Sequence, residues 1–122
     1  MNIALTAFTS RGAELAGRLA KALTEDGHSC ALWVPERLAP ETGLPGYRSL
    51  GPWTAERFAD SDALLFVGAS GIAVRAIAPY VRDKFTDPAV VSVDEAGRFA
   101  VPLLSGHVGG ANDLARLVAR RT

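Results

Sequence analysis

The sequence predicts an α/β fold, a three-layer α/β/α sandwich whose sheet is mostly parallel with one antiparallel hairpin. Three observations carry that reading. Short apolar runs alternate with segments of helical period, the pattern of a parallel sheet covered on both faces. ALLFVGA (63–69) has no charged or strongly polar residue, as a central strand buried on both faces requires. AVVSV (89–93) and RFAVPLL (98–104) are separated only by Asp94-Glu95-Ala96-Gly97, which makes them a hairpin near one edge.

Each element follows from local spacing. NIALTAF (2–8) is a buried strand ending in the polar turn TSRG. From Ala13 onward Leu15, Leu19 and Leu23, with Ala16 and Ala20 beside them, form one apolar helix face, and Asp26-Gly27 ends it. HSCALWV (28–34) is the second strand. Residues 35–52 carry four prolines and three glycines without a period, so they are expected to form a loop. WTAERFAD (53–60) reads as a short helix. After the central strand, Ser70 is expected to cap a helix with Ile72, Ala73, Ala76, Ile77, Tyr80 and Val81 at helical spacing. Pro79 should bend or end it. The last helix runs from about Gly110 to Arg120, with Ala111, Leu114, Ala115 and Val118 inward. The arrangement is Rossmann- or flavodoxin-like.

Length and charge bound the function. The 122 residues suffice for one domain spanning 1–122. No apolar run is long enough to span a bilayer, and MNIALTAFTSRG lacks the features of a signal peptide, so a cytoplasmic protein is expected. Thirteen basic residues balance thirteen acidic ones, which argues against a nucleic-acid or membrane partner. Cys30 lies in the apolar stretch CALWV and reads as an inert strand cysteine. Two distant histidines and one cysteine make no metal ligand set.

Ligands of such sheets bind beyond the carboxyl ends of the strands. Three polar or glycine-rich loops, Thr6–Gly12, Gly68–Gly71 and Ser105–Gly110, are expected to converge there. The first has hydroxyls and a helix start that could hold an anion such as a flavin phosphate. It lacks GxGxxG, and helix capping by Ser10 explains it as well. The second, GASGIAVR, is not a nucleophile elbow, because Ile72 stands at the fifth position. There Gly68 and Gly71 would permit close backbone approach, and Ser70 and Arg75 could contact a carboxylated ligand.

The third loop, LLSGHVGGANDLA, holds the candidate catalytic residues, His107 and beside it Ser105. An imidazole there could activate a water. The amides of Gly109, Gly110 and Ala111, at the start of the last helix, are candidate oxyanion donors, with Gly106 and Asn112 as further contacts. Asp113 suits the helix dipole, and His28 reads as a surface residue.

The stretch 68–115, above all GIAVRAIAP, KFTDPAVVSVDEAGRF and LLSGHVGGANDLA, resembles the CbiG family of anaerobic cobalamin biosynthesis, the cobalt-precorrin-5A hydrolases. The first fifty residues match only as a generic strand–helix–strand start. The resemblance implies opening of the δ-lactone of a cobalt tetrapyrrole with loss of acetaldehyde. The cobalt would arrive with the corrinoid substrate, so no resident cofactor is implied. Family members carry a further C-terminal domain, so the implied partner is that domain or a separate chain supplying it. Two alternatives stay open: a non-catalytic module that docks the corrinoid or the partner, and a flavin or nucleotide binder.

Overall fold

A six-stranded sheet in the order β3-β2-β1-β4-β5-β6 organises the chain in the computed structural model, which describes residues 1–106 and 109–122. In chain order the elements are β1 (Asn2–Ala7), α1 (Ser10–Glu25), β2 (Ser29–Pro35), a 3-10 turn (Glu36–Leu38) and α2 (Ala39–Thr42). Then come β3 (Gly46–Tyr47), α3 (Leu50–Asp60), β4 (Ala63–Val67), α4 (Ser70–Ile77) and a 3-10 turn (Ala78–Tyr80). The chain ends with β5 (Ala89–Val93), β6 (Ala100–Leu104) and α5 (Ala111–Arg121). β1 to β5 run parallel and only β6 is antiparallel. The strand order reverses between β1 and β4.

Period-two alternation along the strands splits the core into two layers. Ala63, Leu65 and Val67 of β4 join Leu15, Leu19 and Leu23 of α1 and Leu114 and Val118 of α5 on one face. Leu64 and Phe66 join Trp53 of α3 and Ala73 and Ile77 of α4 on the other. Every residue of β4 is buried, as expected of a strand with neighbours on both sides. Tyr47 stacks on Trp53 and its hydroxyl bonds Thr6 Oγ1 at 2.9 Å, so the lone polar side chain of β1's inner stretch is satisfied.

The hairpin, the inward face of α5 and the early end of α4 at Pro79 match the sequence reading. Three local expectations do not. Residues 35–52 are not a loop throughout: they form a 3-10 turn, α2, β3 and the first turn of α3. β3 is only two residues long and exists because Val34 and Pro35 of β2 pair with Gly46 and Tyr47. Ser10 does not cap α1. Thr9 does, with extended backbone (φ −138°) and an Oγ1 that accepts the Gly12 amide at 2.9 Å. Ser70 does not cap α4 either; Ala69 holds the cap position, and Ser70 Oγ donates to Ser92 Oγ at 3.3 Å. Cys30 is half-buried, and burial pushes its thiol pKa up, which suits an unreactive strand cysteine.

Candidate functional site

The expected convergence of three loops fails, and the hairpin is the reason. β6 is antiparallel to β5, with Val93 opposite Ala100 and Val90 opposite Leu104. The residues following Leu104 therefore emerge at the amino end of the parallel strands, opposite the loops after β1 and β4. At ~3.3 Å per residue, the length of β5 puts the two ends about 13 Å apart.

At the carboxyl end, the loops after β1 and β4 meet the β5–β6 turn around a cleft of about 490 Å³. Phe8, Val67, Gly68, Ile72 and Ala96 supply its apolar lining, and Thr9, Arg11, Asp94 and Glu95 its polar lining. Thr9 Oγ1 donates to Glu95 Oε2, which ties the first loop to the turn. Asp94 Oδ1 accepts the amides of Arg98 and Phe99 at 2.9 and 2.7 Å and so shapes the turn. The Gly68 amide donates to Val93 O at 2.7 Å, and a Cβ on Gly68 would lie 2.9 Å from the Phe8 ring. Gly68 is thus required by packing. Gly71 is not, since a Cβ there would meet nothing within 4 Å. Arg75 is exposed in the last turn of α4, away from the cleft lining.

At the amino end the loop after β6 is anchored on both sides of His107, which itself lies outside the described residues. Ser105 is buried and adopts φ 57°, a left-handed conformation costly for a residue with a Cβ. Its Oγ donates to Asp87 O at 3.2 Å, and its carbonyl accepts the Ala111 amide at 3.1 Å. The Asn112 amide donates to Gly106 O at 3.0 Å, and the Asn112 side chain lies within 2.8 Å of where a Gly106 Cβ would stand. A Cβ on Gly109 would fall 2.6 Å from Ser105 Cβ, and Gly110 sits at φ 85° against Met1. Glycines here let the loop fold back on itself. These bonds occupy the Ala111 amide, which removes it from the candidate oxyanion donors, and they give the Ser105 hydroxyl a structural partner.

The structure thus brings together Gly68, Ser70 and Gly71 at one end, and Ser105, Gly106, Gly109, Gly110, Ala111 and Asn112 at the other. Sequence reasoning missed the contribution of Asp94 and Glu95 to the carboxyl-end cleft. The signal was present, because a hairpin turn must appear at the end its first strand points to. It also missed Asp87, which is buried and whose Oδ2 accepts the Arg82 and Asp83 amides at 2.8 and 3.1 Å. Burial also raises the pKa of the Tyr47 phenol. Among the described residues no cluster of three or more His, Cys, Asp or Glu could hold a metal, and no helix is long and apolar enough to cross a membrane.

Residues 52–122 match the family described as Cobalamin synthesis G N-terminal. The chain belongs to this family. It is 44% identical over 118 residues, 97% of its length, to the cobalt-precorrin-5A hydrolase of Salmonella typhimurium, and covers 32% of that protein. The cobalt-precorrin-5A hydrolase of Priestia megaterium is 48% identical over 62 residues, 51% of this chain and 17% of that one. The chain therefore spans about a third of the length of the Salmonella relative. A solved structure of a cobalamin biosynthesis protein G homolog from Sulfolobus solfataricus superposes with a TM-score of 0.77 at 24% identity, over 98% of this chain and 34% of that one. A semialdehyde dehydrogenase NAD-binding protein from Cupriavidus necator, solved with calcium and NAD, reaches 0.51 at 18% identity, over 98% and 58%. At these identities the two structures establish the shared α/β fold.

Proposed function

We propose that this chain is one component of a cobalt-precorrin-5A hydrolase of cobalamin biosynthesis, acting in the cytoplasm. It works with the region that forms the remaining two thirds of its Salmonella relative. The carrying observation is the 44% identity over 118 residues, 97% of the chain. The reaction is hydrolytic opening of the tetrapyrrole δ-lactone, with a two-carbon fragment lost as acetaldehyde by carbon–carbon cleavage. The cobalt belongs to the substrate.

His107 is the proposed base. Its imidazole takes a proton from water as the water oxygen bonds to the lactone carbonyl carbon, and the ring C–O bond breaks to leave a carboxylic acid and an alkoxide. The alkoxide collapses to acetaldehyde as its bond to the macrocycle breaks, and the macrocycle carbon left behind takes the proton held by the imidazole. Ser105 is reassigned from the chemistry to holding the loop, because its hydroxyl is spent on Asp87 O. A second reading, a docking domain whose chemistry lies on the remaining region, is favoured by the commitment of the Ala111 and Asn112 amides within the loop. The first loop speaks against a flavin or nucleotide binder: Thr9 Oγ1 already accepts the Gly12 amide, and Arg37 Nη2 donates to Phe8 O at 2.8 Å across the loop.

The test is to assay acetaldehyde from cobalt-precorrin-5A with this chain alone and with the remaining region of the Salmonella hydrolase added. Release only when both are present is expected. No release in either case contradicts the reading.

A further inference from the structure

Between the end of α4 and β5 the chain builds an ordered surface that the fold itself does not use. Val81 is 43% exposed and Phe85 66%, both unusually open for large apolar side chains. Arg82 and Lys84 are exposed beside them, and among the described residues neither makes a salt bridge. Lys84 Nζ stands 5.2 Å from the centre of the Phe85 ring, so a cation and an apolar surface are presented together. Asp83, between the two cations, is exposed as well, and its Oδ1 accepts the Phe85 amide at 2.8 Å.

Hydrogen bonds hold this segment in shape without helix or strand. Asp87 Oδ2 accepts the amides of Arg82 and Asp83, and Asp83 O accepts those of Thr86 and Asp87 at 3.1 and 2.8 Å. Beside it a groove of about 190 Å³ runs between Phe58, Tyr80, Arg82 and Pro88. Asp87 also joins this surface to the other loop of the amino end, since its carbonyl accepts the Ser105 hydroxyl. The carboxyl-end cleft leans the other way: Asp94 and Glu95 outnumber Arg11 in its lining, whereas Arg82 and Lys84 outnumber the exposed Asp83 here.

We infer that residues 81–88 form the face on which the carboxylated macrocycle docks, with Val81 and Phe85 against its apolar surface and Arg82 and Lys84 on its carboxylates. The inference rests on the proposed hydrolase function, and charge complementarity selects the occupant. A macrocycle rimmed with acetate and propionate groups pairs with a surface where exposed cations are in excess and is disfavoured by a cleft where carboxylates are. Docking here brings the substrate to the end of the sheet from which the loop carrying His107 is anchored.

The test titrates the chain with cobyrinic acid, a cobalt corrinoid with free carboxylates, at low and high salt. Arg82→Gln/Lys84→Gln should weaken binding at least tenfold and flatten the salt dependence. Arg18→Gln/Lys21→Gln, which removes the same charge from α1, should stay within twofold of wild type. Phe85→Ser should lower affinity several-fold with an unchanged melting temperature, because its ring is already solvated. Equal affinity in the Arg82/Lys84 and Arg18/Lys21 variants overturns the inference, as does a wild-type chain that does not bind. Loss of association between Phe85→Ser and the remaining region of the Salmonella hydrolase, with corrinoid affinity intact, overturns it in favour of a protein interface. Turnover of cobalt-precorrin-5A by the complete hydrolase with unchanged KM in Arg82→Gln/Lys84→Gln rejects this face alone. Absence of turnover in the wild-type complete hydrolase rejects the function it rests on.

Discussion

At the amino end of the sheet Gly109 and Gly110 are demanded by the loop they occupy, whereas at the carboxyl end Gly71 is demanded by nothing around it. A Cβ at Gly109 would collide with Ser105, and Gly110 has a positive φ, while a Cβ at Gly71 would point into open space. Glycine content alone therefore does not mark close approach of a ligand. The joint between β6 and α5 is rich in glycine because the chain turns back on itself, closing the Ser105–Ala111 and Gly106–Asn112 bonds. The two ends also differ in charge: Asp94 and Glu95 outnumber Arg11 in the cleft at one, and Arg82 and Lys84 outnumber Asp83 on the exposed segment before β5 at the other.

Substitutions at the two ends sharpen the contrast, and the largest effect is expected at Gly109. Gly109→Ala overpacks the loop against Ser105 and should destabilise the chain by about 1–3 kcal/mol, lowering the melting temperature by several degrees in calorimetry. An unchanged transition would mean that the loop yields easily and the glycine serves something else. Thr9→Val removes both the α1 cap and the strap to Glu95, and should cost about 1 kcal/mol in urea unfolding. No measurable loss would show that the tie across the cleft carries no stability. Gly71→Ala should act in the other direction, gaining roughly 0.5–1 kcal/mol from a helical site with room for a methyl group. A loss of stability there would erase the difference between the ends.

A smaller effect concerns pH. Burial raises the Tyr47 phenol pKa in the fold above its unfolded value of about 10. The folded state thus holds the proton more tightly, and the resulting stability, intact below that value, is lost as pH rises through the folded pKa. Tyr47→Phe should be less sensitive than wild type in alkaline unfolding, and an identical slope would remove Tyr47 as its source.

Much of the fold was legible in sequence because strong periodicities had no rivals. The α1 face of Leu15, Leu19 and Leu23, the apolar run of β4 and the four-residue turn at Asp94–Gly97 each specify their element locally. The segment 35–52 was not legible, because β3 depends on pairing with β2 and no local pattern announces a two-residue strand. The cap of α1 was missed by one residue. Thr9 and Ser10 both carry the right chemistry, and only the extended backbone at Thr9 decides between them. The placement of the site failed for a topological reason, since a strand returning through a hairpin delivers its next loop to the far end of the sheet. That consequence followed from the hairpin itself.

The most direct measurement compares acetaldehyde release and thermal unfolding for His107→Ala in the complete hydrolase. The account expects turnover to fall by about a hundredfold or more, typical of losing a general base, with the melting temperature near that of wild type. Turnover near wild type with a lowered melting temperature would contradict it and assign His107 to the fold.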